Sequence, residues 1–127
     1  MTNKQILSAY RMEQAETTLA DAKKMLQSKV SPASIINRAY NAKYYGVLAL
    51  LLKSKTPMMT SKHSGVIAFF DKEFIKTGKI EKKYSVMLHN AFAIRQDGDY
   101  KEMVKFTEEK AALQVNLAED FLAAIKK

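Results

Sequence analysis

At 127 residues, with 47% hydrophobic and 27% charged residues and only four Gly and two Pro, the chain has the composition of one globular domain with few places for loops. The absence of cysteine excludes disulfides, thiolate catalysis and Cys-based zinc or iron–sulfur sites, and suits a reducing cytoplasm. The net charge of +8 arises entirely between Ala22 and Phe70, where Lys23, Lys24, Lys29, Arg38, Lys43, Lys53, Lys55 and Lys62 stand with no Asp or Glu among them. Such a segment either attracts polyanions, nucleic acid first, or forms a solvated basic face.

Periodicity and punctuation place five helical segments and no strand. The first runs from about Asn3 to Ser28, with Met12, Ala15, Leu19, Ala22 and Leu26 forming one apolar stripe. "SKVSPAS" breaks it, and Ser31 followed by Pro32 reads as the N-cap and first-turn proline of a second helix reaching about Lys53. That helix carries Ala39, Ala42, Gly46 and Ala49 as a small-residue stripe suited to close packing. Its apolar run "GVLALLL" is too short to span a bilayer, and the N-terminus lacks the apolar core of a signal peptide, so no membrane association is expected. "KTPMMTSKHSG" is a loop, in which Thr60 or Ser61 could cap a short third helix over "HSGVIAFFDKEFI", with Gly78 closing that element. A fourth helix is expected from about Glu81 to Gln96. A fifth, from about Lys105 to the C-terminus, has Phe106, Leu113, Leu117, Phe121 and Ala124 as its apolar stripe. The expected fold class is all-α, an up-and-down bundle forming a single domain over residues 1–127.

Three groups of residues could carry chemistry. In the fourth helix Tyr84, Leu88, Ala91 and Arg95 follow steps of four, three and four, so Arg95 falls on the stripe facing the bundle. A guanidinium there needs carboxylates, carbonyls or a bound anion around it; Asp97 and Asp99 are near, and an ion-paired helix end is the alternative to a phosphate site. Asn37, Arg38, Asn41, Tyr44 and Tyr45 give the second helix a polar and aromatic face that could grip phosphate and stack a base, or simply place tyrosines at the core's edge. Lys62 and His63 stand near a helix start, where backbone donors could hold an anion. His63 and His89 have no neighbours at metal-ligand spacing, so no metal or cofactor is expected.

Three stretches, "INRAYNAKYYGVLALL", "SKHSGVIAFFDKEFIKTGKI" and "LHNAFAIRQDGDY", together resemble the signatures of the HEPN superfamily, nucleotide-binding helical domains, over nearly the whole chain. Many members are metal-independent ribonucleases in which an arginine and, after four to six intervening residues, a histidine are paired across a homodimer cleft. The RNA 2′-hydroxyl then attacks the adjacent phosphate. Arg95 matches that arginine, but after four intervening residues Tyr100 stands where a histidine could be; this resembles a branch with aspartate-tyrosine at that end. A tyrosine, with a pKa of about 10, donates a hydrogen bond readily at neutral pH but is a poor general base. The resemblance also implies pairing with a minimal nucleotidyltransferase as toxin and antitoxin. Three readings follow. The first is a dimeric RNA- or nucleotide-binding module in which Arg95, Asn37, Arg38, Asn41 and Tyr45 line a basic cleft, with Lys62, His63, Asp97 and Asp99 as further candidate binding residues. The second is a ribonuclease in which Arg95 holds the phosphate and Tyr100, Asp97, Asp99 or His63 replaces the imidazole. The third is a structural adaptor.

Overall fold

A computed structural model of the protein describes residues 2–54, 62–100 and 106–126; the side chains of residues 94–100 lie outside the description. It contains five helices: α1 (Asn3–Gln27), α2 (Pro32–Leu51), α3 (His63–Phe70), α4 (Lys82–Tyr100) and α5 (Glu108–Ile125). No strand occurs among the described residues. The expected all-α bundle is therefore what the chain forms.

Local signals account for most helix ends. Thr2 caps α1 through a reciprocal pair: the Gln5 amide donates to its hydroxyl at 3.1 Å, and the Thr2 amide donates to Gln5 Oε1 at 2.8 Å. At the other end Lys29 takes the left-handed conformation (φ 55°). The Val30 and Lys29 amides then reach the Met25 and Leu26 carbonyls, satisfying two orphan acceptors. Ser31 holds the N-cap position of α2, but its hydroxyl donates to Ser34 rather than capping the helix backbone. α3 runs into a wide π turn over Asp71–Ile75, whose Lys76 amide bonds the Asp71 carbonyl at 2.9 Å. Gly78 (φ 77°) then reverses the chain, as its position suggested. The expected caps Thr60 and Ser61 lie outside the described residues, and Lys62 occupies the N-cap position of α3.

Two boundaries and one stripe differ from expectation. α4 continues four residues beyond Gln96, to Tyr100, because one glycine at position 98 disfavours a helix by only about 1 kcal/mol and breaks no hydrogen bond. α5 begins at Glu108, where Thr107 accepts the Lys110 amide at 3.1 Å. Leu113, expected on its inner face, is 54% exposed. The buried positions are Ala111, Gln114, Val115, Ala118, Phe121, Leu122 and Ile125, a stripe rotated away from Leu113 that the larger residues concealed.

α2 is the hub, packed against α1 and α5 most extensively and against α4 and α3 as well. α1 runs antiparallel to it, with the Ser8 hydroxyl on the Ala49 carbonyl (2.7 Å) at one end and Arg38 on Asp21 (2.7 Å) towards the other. The small stripe Ala39, Ala42, Gly46 and Ala49 is buried throughout. A Cβ placed on Gly46 would lie 2.5 Å from Leu122 Cδ2 and 2.7 Å from Ile125 Cδ1, so α5 closes on α2 at a distance only glycine accommodates without displacing neighbours.

Lys43 is the exception inside this core. It is 0% exposed, and its ammonium donates to Gln114 Oε1 at 3.3 Å. Desolvation lowers its pKa from 10.5 to about 8. Between those values the unfolded chain binds more protons than the folded one, so stability rises with pH from about 8 to 10.5, and the penalty is fully present below that window. The shift corresponds to something on the order of 3 kcal/mol. Lys43→Met, which leaves Gln114 one bond short, is expected to raise stability near neutral pH by about 1–2 kcal/mol and to flatten the alkaline rise, read from denaturant midpoints measured across pH.

Candidate functional site

The polar residues of α2 divide into two groups when the helix packs. Arg38 and Tyr45, seven residues apart, face α1; there Arg38 pairs with Asp21, and both residues line a shallow recess with Tyr10 and Thr17. The Arg38 charge expected for phosphate is thus matched by a carboxylate from outside the basic segment, each side chain remaining about two-fifths exposed. Lys23 is matched in the same manner by Glu119 at 2.9 Å.

The second group faces α3 and α4. Tyr40 and Tyr44 are buried, one turn apart, with ring centroids 6.0 Å from each other. His63, the first residue of α3, lays its imidazole on Tyr44 at 3.9 Å between centroids and 12° between planes. Its Nδ1 lies 2.8 Å from Tyr40 Oη. Phe92 of α4 completes the group, 6.1 Å from Tyr40 and 6.4 Å from His63. Burial pushes the Tyr44 phenol above its ordinary pKa, with the Arg11 guanidinium opposing the shift, so it is a neutral aromatic at physiological pH. Asn37 is exposed and Asn41 half-buried on the intervening arc of α2, and Lys62 is exposed at the N-cap of α3.

α4 brings Arg95 into register with this group. Tyr84, Leu88 and Ala91 are buried along its inner stripe, as the spacing predicts, and the helix backbone continues unbroken, so Arg95 occupies the position one turn beyond Ala91 and Phe92. The side chains of Arg95, Asp97, Asp99 and Tyr100 lie outside the described residues. The structure therefore joins His63 to the Tyr40 and Tyr44 face of α2, and separates Arg38 and Tyr45 from it.

Some of this was not read from the sequence. Tyr40 and Phe92 were passed over, although Tyr40 stands one turn before Tyr44 and Phe92 one turn before Arg95, which are usable signals. His89 has a partner after all: its Nε2 lies 2.6 Å from Asp71 Oδ2, while the Ser85 hydroxyl donates to Oδ1 at 2.7 Å. Asp71 is 18 residues away in sequence, so no local spacing announces it. Among the described residues no group of three or more His, Asp or Glu could hold a metal ion. Among the described residues, a recess of about 800 Å³, lined by Lys4, Met12, Leu50, Lys53 and Ile125 among others, lies at the C-terminal end of α2.

The HEPN domain family matches residues 8–127. The chain belongs to this family. A "UPF0332 protein" of Thermotoga maritima is 41% identical over 127 residues, covering 100% of this chain and 94% of that protein. Two proteins of Methanocaldococcus jannaschii are also similar. "Putative toxin MJ0142" is 31% identical over 91% of this chain and 77% of its own length, and "Putative toxin MJ0605" is 36% identical over 91% and 84%. In this HEPN domain the aromatic group should behave as part of the core. Tyr44→Ala is expected to destabilise the protein by roughly 3 kcal/mol through lost ring burial, and Tyr44→Phe by less than about 1 kcal/mol, as measured by chemical denaturation.

Proposed function

We propose that this protein is an RNA- or nucleotide-binding HEPN module, acting as a homodimer and as the HEPN half of a toxin–antitoxin-like pair with a minimal nucleotidyltransferase. The observation that carries the binding reading is the imidazole of His63 stacked on Tyr44, beside Phe92 and the α2 amides Asn37 and Asn41, one helical turn from the position of Arg95. Aromatic and imidazole faces one helical turn from an arginine position suit a stacked base and its phosphate. The exposed Lys24, Lys29 and Lys53 contribute to a positive field over the protein surface as a whole. The two relatives named as toxins support the paired-system reading.

A second reading, a metal-independent ribonuclease, is favoured by one feature of the same site. Tyr100 replaces the family's histidine, but His63 brings an imidazole into contact with Phe92, three residues before Arg95. Arg95 would stabilise the charge on the phosphorus-centred transition state and His63 would stand in for the absent base.

Both readings are tested on one set of samples. Single-stranded RNA should bind with a logarithmic dependence on salt, and Arg95→Ala should weaken binding about tenfold, as expected on losing a charge-assisted hydrogen bond. Absence of salt-sensitive binding would remove the first reading. Cleavage that leaves a cyclic phosphate and vanishes in Arg95→Ala would establish the second, and undiminished cleavage by that variant would remove it.

A further inference from the structure

Arg38 and Tyr45, which packing turns away from the His63 stack, meet a second set of side chains against α1. The recess they line, about 300 Å³, is at the lower end for a small-molecule site, and α1 supplies its other wall. On that wall Tyr10 is 57% exposed and Gln14 adds an amide, while Tyr45 stands half-buried on the α2 side. Beside the recess lies Arg11, also half-buried. It donates to Gln14 Oε1 at 2.9 Å, and its guanidinium rests 5.8 Å from the centroid of the Tyr10 ring.

Both contacts of Arg11 are neutral, and among the described residues no carboxylate stands within ion-pair distance of it. Arg38 and Lys23, by contrast, are each matched by a carboxylate. A guanidinium cannot shed its proton, so a half-buried one without a counter-ion is set to take an anion. Gln14 engages Nη1, and the rest of the planar fork remains for the oxygens of a phosphate. Glu13, exposed on the rim, would repel a phosphate and leaves the Arg11 edge as the place for one. The Arg11 charge is also felt at the Tyr44 hydroxyl, so one cation adjoins both the recess and the Tyr44–His63 stack. Single strands are held on open platforms of this kind, because every base has a face that stacks on an aromatic ring and every nucleotide a phosphate for a cation. We propose that Tyr10, Arg11 and Gln14 of α1, with Tyr45 of α2, form a subsite for one nucleotide of a single-stranded RNA, its base against the tyrosine rings and its phosphate on Arg11. Arg38, fixed by Asp21, serves as a wall of the recess and not as the phosphate ligand. The subsite rests on the RNA-binding reading of the protein and adds a second point of attachment to it.

The test is binding of a short single-stranded RNA to the full chain, measured across salt concentrations, with denaturant midpoints to verify that each variant is folded. Arg11→Ala should lose about tenfold in affinity and reduce the logarithmic salt slope by about 0.7, the share of one single-strand phosphate. Arg11→Lys, which keeps the charge without the fork, should retain the slope. Tyr10→Ala should lose at least about fivefold through lost stacking, and Tyr10→Phe should stay within about twofold. The ring resonances of Tyr10 and Tyr45 should move upfield in NMR spectra as RNA is added. Loss of affinity in Arg11→Ala with an unaltered salt slope would overturn the phosphate role, and an unaffected Tyr10→Ala would overturn the placing of the base. Binding that weakens in Arg95→Ala but is untouched by Arg11→Ala and Tyr10→Ala would remove the subsite alone, whereas an unaltered protein that binds no RNA would defeat both the subsite and the reading beneath it.

Discussion

The close approach of α5 to α2 at Gly46 is the constraint from which the rest of the structure follows. With Leu122 and Ile125 against a backbone that bears no Cβ, and with Ser8 of α1 bonded to the Ala49 carbonyl, the small stripe of α2 is fully committed to its neighbours. Apart from Lys43, which is buried against Gln114 of α5, the polar and aromatic side chains of that helix occupy the remaining arc. Tyr40 and Tyr44 take the side next to α3 and α4, Arg38 and Tyr45 take the side next to α1, and Asn37 lies exposed between them. The candidate site is thus a by-product of packing: α2 can offer a ligand only the surface that α1 and α5 have left.

Much of this architecture is legible in the sequence because its causes are local. Pro32 announces the start of α2, Gly78 the reversal after the π turn, and the alternating spacing of Ala15, Leu19 and Ala22 the inner face of α1. The inner face of α5 was misread for a physical reason. Hydrophobic size drew attention to Leu113, whereas the inner face starts from small residues that size does not flag, Ala111 and Ala118, which are fully buried along with Phe121. What spacing does not show is the pairing of groups far apart in the chain. Asp21 with Arg38, Asp71 with His89 and Gln114 with Lys43 are joined only when the helices dock.

For the candidate site, the sequence showed the ingredients but not their grouping. The register of Arg95 follows from the steps Tyr84, Leu88, Ala91, and the structure places those three in the core as that spacing requires. His63 looked like an isolated histidine at a helix start. Its stacking on Tyr44 and its bond to Tyr40 link residues 19 and 23 positions apart across a loop, a relation that no short motif encodes. The site is therefore assembled from three helices, and its chemistry depends on tyrosines whose first task is packing.

The ion pairs of Arg38 and Lys23 also change what the basic segment means. Along the chain, residues 22–70 form an uninterrupted cationic stretch. In the folded protein Asp21 and Glu119 shield two of its charges and burial removes Lys43 from the surface. Folding therefore acts as a mask. A newly made or transiently opened chain exposes a stretch more strongly attractive to polyanions than the native surface is. The interhelical carboxylates Asp21 and Glu119 therefore favour the fold by pairing two cations that an open chain leaves exposed.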